Sequence, residues 1–337
     1  MRRRRRWVVL TICSAIIAAG AAERQEFHNP LLPSGPDPWV TSRNGTYYFM
    51  ATTAQNLTIW RTRDITDLEH AEKKVVWTPP ASGPYSHEIW APELHFLAGK
   101  WYIYFAADAG SNDSHRVWVL ENSAEDPLTG EWIMKGKLAD PSDKWAIDAT
   151  VFENRGTEYA AWSGWVGDQD GEQNIYIARL ANPWTIQGAR SRISTPEYDW
   201  EKHGGINEGP EALIHGKNVF LVYSASGCWT NDYALGMLRA SVSSDLTKPS
   251  SWKKSASPVF SQSPAARAFG PGHNGFFQSP DGTEDWIIYH ANLGPNDGCG
   301  PKRAPRAQPF RWKRNGMPDF GKPAPVDQPL PKPSGTE

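Results

Sequence analysis

Three carboxylates stand in contexts that suit chemistry. Asp37 lies between two prolines in Gly35-Pro36-Asp37-Pro38-Trp39, where rings on both sides stiffen the backbone and aim the side chain. Glu208 lies in Ile206-Asn207-Glu208-Gly209-Pro210-Glu211, and the glycine after it permits a close approach of ligand or backbone. Asp148 interrupts the apolar run Ala146-Ile147-Asp148-Ala149-Thr150-Val151, so its carboxyl is either satisfied by hydrogen bonds or part of a site. Taken singly, Asp37 and Glu208 are equally readable as loop acids, and Glu211 competes with Glu208. Brought together, three acids repel as ions, and at least one pKa must rise. That separates an acid from a base, the condition for splitting a glycosidic bond with two carboxylates.

What would bring them together is a repeat. Lead-ins around Asp37, Glu93, Asp148, Glu208 and His273 are each followed by an aromatic-rich run: Tyr47–Met50, Trp101–Ala107, Glu158–Ser163, Val219–Ser224 and Trp286–Ala291. The period of about 55–65 residues suits a four-stranded blade with generous loops. A further strand pattern follows each run, as in Thr58–Thr62, Arg116–Leu120, Asn174–Ala178, Ala234–Leu238 and Phe310–Trp312, and no segment holds a helical period. The expected fold is therefore all-β, a five-bladed β-propeller with four-stranded antiparallel blades. The five lead-in residues would share one position on the innermost strands and converge on the axis. From Lys322 onward, Pro, Lys and Gly predominate, which reads as a loose end or strap.

Composition narrows the setting. The formal net charge is −2, which leaves no footprint for nucleic acid. The one dense basic run, Arg2–Arg6, precedes the apolar stretch Trp7–Ala19 and the small residues Gly20, Ala21 and Ala22. This is the layout of a secretory signal peptide over residues 1–22, with an uncleaved N-terminal anchor as the alternative. Residues 23–337 then form a single propeller domain, secreted and extracellular, with no membrane contact after cleavage; a monomer is expected. Beyond the signal only Cys228 and Cys299 remain. In an oxidising compartment they either form one disulfide, tying the fourth repeat to the fifth, or stay as two buried thiols. Sequons at Asn44, Asn56 and Asn112 fit a secreted eukaryotic product. The 17 tryptophans are first of all packing residues, although indole faces also suit sugar rings.

In this order and at this spacing, Gly-Pro-Asp37-Pro-Trp, Ile-Trp-Ala-Pro-Glu93, Ala-Ile-Asp148-Ala-Thr-Val, Asn-Glu208-Gly-Pro and Gly-Pro-Gly-His273-Asn resemble glycoside hydrolase family 43 from about Asn29 to about Lys322. The resemblance implies inversion, with Asp37 as general base, Glu208 as general acid and Asp148 orienting the acid and tuning its pKa. It matches His273 to an axial histidine that in many members coordinates a central ion directly or through water. Calcium is the candidate there, although a neutral imidazole with one carboxylate is a weak site for so hard a cation. The chemistry itself requires no cofactor. Arg303, rather than Arg306, fits the segment that supplies a substrate-binding arginine, against a solvated basic loop as the alternative. Trp90 is a candidate stacking residue, and Trp162 and Trp165 are ambiguous between sugar binding and core. Glu93 reads as structural, while Asn207, Ser224 and His290 are candidates for the pocket wall.

Finer resemblance, in Asn29–Pro38, Glu72–Trp77, Tyr102–Asp108, Lys137–Trp145 and Pro196–Glu201, points to the exo-acting α-1,5-L-arabinofuranosidase branch. The implied partners are plant cell-wall polysaccharides, arabinan or arabinoxylan, or arabino-oligosaccharides. A β-xylosidase, an endo-arabinanase, a non-catalytic sugar-binding propeller and a structural or adhesive secreted protein are the alternatives. Retention of all three acids favours catalysis.

Overall fold

The computed structural model describes residues 24–336; the signal peptide expected over residues 1–22 lies outside them. β1 (Glu26–Phe27) opens the described chain. Blade 1 is β2 (Trp39–Arg43), β3 (Thr46–Met50), β4 (Leu57–Thr62) and β5 (Glu72–Trp77). Blade 2 is β6 (His87–Leu97), β7 (Lys100–Asp108), β8 (Arg116–Asn122) and β9 (Ile133–Lys137). Blade 3 is β10 (Ala146–Asn154), β11 (Thr157–Gly164), β12 (Asn174–Asn182) and β13 (Thr185–Ser194). Blade 4 is β14 (Asn207–His215), β15 (Asn218–Ala225), β16 (Ala234–Ser241) and β17 (Lys253–Lys254). Blade 5 is β18 (Phe269–Gln278), β19 (Asp285–Asn292), β20 (Ala304–Trp312) and β21 (Pro318–Asp319), and β22 (Leu330–Pro331) pairs antiparallel with β1. The fold is the expected five-bladed propeller. The tail is a strap: beyond β22, Lys332 reaches Asp64 of blade 1 at 2.7 Å. No helix among the described residues is long and apolar enough to cross a membrane.

The second strand of each blade is apolar on both faces because both are covered by neighbouring blades. On β7, Trp101, Ile103 and Phe105 pack toward blade 1, while Tyr102 and Tyr104 pack toward blade 3. The same alternation recurs on β11, where Tyr159 and Ala161 face blade 4 and Ala160 and Trp162 face blade 2. The period of two is that of a strand. The core is thus five seams between successive blades, not one central mass. The last seam, between blades 5 and 1, also takes Phe27 of β1.

Four of the five inner strands carry the same irregularity, and β2 pairs with β3 in unbroken register. Pairing with the second strand slips between Trp90 and Glu93, Ile147 and Thr150, Glu208 and Glu211, and Gly272 and Gly275. A residue with left-handed backbone sits inside each slip: Ala91 (φ 43°), Asp148 (φ 56°), Gly209 (φ 52°) and His273 (φ 46°), with Asp37 (φ 55°) just ahead of β2. A bulge of this kind re-aims one side chain toward the axis. The shared position is therefore held by Asp37, Ala91, Asp148, Gly209 and His273. This corrects the expected equivalence in two blades: Glu208 stands one residue before the left-handed position, and Glu93 stands two after it, level with Glu211.

Candidate active site

The left-handed turn before β2 brings Asp37, and the bulges of β10, β14 and β18 bring Asp148, Glu208 and His273, to the wall of one cavity of about 1200 Å³. Asp37 is the most heavily restrained. Arg303 Nη1 donates to its Oδ1 at 2.7 Å, and the Thr52 hydroxyl donates to its Oδ2 at 2.6 Å. The observed register places Thr52: Trp39 pairs with Met50, so continuing the ladder by two residues sets Thr52 opposite Asp37. The backbone N–H of Asp37 donates to Nδ1 of the buried His290 at 3.0 Å, so that nitrogen is unprotonated. Burial works to raise the carboxyl of Asp37, but the Arg303 guanidinium and the Thr52 hydroxyl hold it well below the usual carboxylate range.

Glu208 behaves in the opposite way. Burial pushes its carboxyl up to about 7. The Tyr233 hydroxyl, which donates to its Oε1 at 2.8 Å, limits that rise, the charge on Asp37 adds to it and Arg303 opposes it. Asp148 is also raised well above the ordinary value, first by burial and then by the charges of Glu208 and Asp37. It accepts the N–H of Gly209 at 3.1 Å, which fixes the backbone next to Glu208. The cluster therefore holds an ionised Asp37 beside carboxyls that keep their protons near neutral pH.

The glycine after Glu208 has a specific use. A Cβ at Gly209 would lie 3.1 Å from Nδ1 of His273, so the group that approaches closely there is the imidazole. His273 Nδ1 lies 3.4 Å from Asp37 and 4.0 Å from Asp148, while burial lowers its pKa despite the charge on Asp37. These donors do not form a calcium cage. Both oxygens of Asp37 already accept hydrogen bonds, whereas calcium takes six to eight oxygens. Among the described residues, no group of three or more His, Cys, Asp or Glu stands in ligating geometry.

The remaining candidates divide. Trp90 and Arg303 line the cavity, and so does Trp165, which stacks on Trp145 with centroids 4.5 Å apart. Trp162 does not reach it. Strand parity turns that ring into the seam between blades 2 and 3, beside Tyr176, and the chain meets the cavity only past the end of β11, at Trp165. Arg306 is wholly buried and donates to the carbonyls of Ala266 and Arg267. Ser224 and His290 stand behind the wall, supporting His273 and Asp37. Asn207 is also behind it, bonded to Ser194 and Glu201. Glu93 and Glu211 lie deeper on the axis; Glu211 accepts from Thr150 at 3.0 Å and from Trp39 at 3.3 Å. The cysteines are joined, and Cys228–Cys299 lies on the cavity rim. Sequence reasoning missed Thr52, Tyr233 and Trp145. All three sit at or beyond strand ends, where no periodic signal reaches.

Comparison with known proteins agrees with the fold and places the family. The family model described as glycosyl hydrolases family 43 matches residues 27–318. An extracellular exo-α-(1→5)-L-arabinofuranosidase of Streptomyces avermitilis is 41% identical over 90% of this chain and 65% of its own length. A protein of the same description from Streptomyces chartreusis is 40% identical over 82% of this chain and 85% of its own. The crystal structure of an α-L-arabinofuranosidase from Lactobacillus brevis superposes with a TM-score of 0.85 at 38% identity, covering 90% of this chain and 98% of that one. The chain thus spans just under two thirds of the Streptomyces avermitilis relative.

Proposed function

The chain belongs to glycosyl hydrolases family 43, and on that premise we propose that it is a secreted, inverting, exo-acting α-L-arabinofuranosidase. It releases L-arabinose from α-1,5-arabinan, arabino-oligosaccharides or arabinose-decorated hemicellulose. The observation that carries the proposal is the split within one cavity between Asp37, held ionised, and Glu208, raised to about 7. Hydrolysis with two carboxylates needs one to take a proton from water while the other gives one to the departing oxygen. Asp37 is the base. Its fixed pairs with Arg303 and Thr52 aim the carboxylate and keep it charged at the pH where Glu208 still holds its proton. Glu208 is the acid, and Asp148 positions it through the Gly209 N–H. Trp90 and Arg303 help to hold the sugar, and no metal or cofactor enters the scheme. The choice of arabinose and of exo action is supported by the names of the relatives.

Inversion is tested on the first product formed. Proton NMR of fresh α-1,5-arabinobiose digests should show β-arabinofuranose first, decaying to the equilibrium mixture. Initial release of the α-anomer would overturn the assignment of Asp37 as a base acting through water.

A further inference from the structure

Trp229 stands in the turn between β15 and β16, on the wall of the cavity, with 56% of its surface exposed. Among the described residues it is the one tryptophan so exposed, and its ring is nonetheless fixed. A Cβ at Gly227 would lie 2.5 Å from Cε2 and Cζ2 of the indole, and one at Gly204 would lie 3.1 Å from Cζ2. The ring therefore rests on the bare backbone of two glycines, and a side chain at either would lift it. The turn is tied as well. Cys228, next to the indole, is bonded to Cys299, and Asn231 and Asn296 exchange hydrogen bonds at 3.0 and 3.2 Å. A large apolar face held open to water at a concave site marks a binding surface.

The position of the ring identifies what it binds. Glu208 is on β14 and pairs with Ser224 of β15, the strand whose end leads into the Trp229 turn. Trp90 and the Trp145–Trp165 pair come from blades 2 and 3 and the segments beside them. The proton donor stands on the leaving side of the scissile bond, so a platform at the rim of its blade stands there too. The geometry points to Trp229 as the stacking platform for the sugar ring on the leaving side, the first unit of the departing chain. The apolar C–H face of that ring covers the indole, as aromatic surfaces favour. This inference rests on the function proposed above.

The test compares kcat/KM for α-1,5-arabinotriose with kcat/KM for methyl α-L-arabinofuranoside, whose leaving group has no ring to stack. Trp229→Ala should lower the first by about tenfold or more, through KM, and leave the second within about twofold. Trp229→Phe, which keeps an aromatic face, should recover most of the loss. An equal fall on both substrates, or no fall on the trisaccharide, would overturn the platform. A wild-type protein that hydrolyses neither substrate would overturn the arabinofuranosidase reading, and the subsite with it.

Discussion

Asp37 and Glu208 start from nearly the same intrinsic acidity and are driven apart by their neighbours. Asp37 is paired with the Arg303 guanidinium and the Thr52 hydroxyl, whereas Glu208 is buried with one hydroxyl for a partner. Asp37→Asn keeps the shape, and asparagine tolerates the left-handed backbone at this position. It should lower kcat by about 10²–10⁴-fold while leaving the thermal melt in place, a pair of readings that separates chemistry from folding. Glu208→Gln should lose far more activity on poor leaving groups than on activated aryl arabinofuranosides; equal loss would argue against proton donation. The pH profile follows from the same values. On the proposed mechanism activity requires Asp37 ionised and Glu208 protonated, so kcat/KM should fall along an alkaline limb near pH 7, with the acid limb at strongly acidic pH. The hydroxyl of Tyr233 favours the charged form of Glu208, so Tyr233→Phe should move the alkaline limb to higher pH. A limb that stays in place would mean that it belongs to another group of the cluster, since coupled carboxyls titrate jointly.

The second strands were the most legible elements in the sequence. Burial on both faces writes them as unbroken aromatic and branched runs, as in Trp101–Ala107. Two of the outermost strands, β17 and β21, were not legible because they are two residues long and too short for a period. The inner strands were legible in location but not in phase. Aligning them by their acids put Glu93 and Glu208 at the position of Asp37, whereas the bulges put Ala91 and Gly209 there. Trp162 shows the same limit, since both faces of β11 lie in seams and the cavity begins only past the end of the strand, at Trp165. The bulge itself is testable at Gly209, where alanine must adopt φ 52° with its Cβ against His273. Gly209→Ala should cost about 1–2 kcal/mol in denaturant unfolding and reduce kcat as well, because Glu208 is adjacent. The disulfide closes a separation of 71 residues, and replacing both cysteines with serine should cost up to about 4 kcal/mol.

At the scale of the whole molecule, five blades turn their inner strands toward one axis and crowd carboxyl groups in a buried setting. Burial raises Glu93 and Glu211 on the axis, and Asp148 and Glu208 at the cavity. Between the ordinary carboxylate range and these raised values, the folded protein binds more protons than the unfolded chain, so stability falls as pH rises. For Glu208 that window runs from 4.5 to about 7. Asp37 acts in the opposite sense, and its contribution is lost only as pH falls below its ordinary value of 3.8. Below their ordinary value of 6.5 the buried His95, His273 and His290, whose pKa values burial lowers, act against this trend, so the melting temperature should decline from about pH 6.5 to pH 8, and Glu211→Gln should flatten the decline; a midpoint that rises over this range would contradict the assignment. The same convergence builds one cavity from distant segments, where exo-acting release of arabinose is the proposed reaction. The most direct test is a product time course on linear α-1,5-arabinan. Arabinose as the sole product from the earliest time points is the predicted result, and a ladder of arabino-oligosaccharides would contradict it.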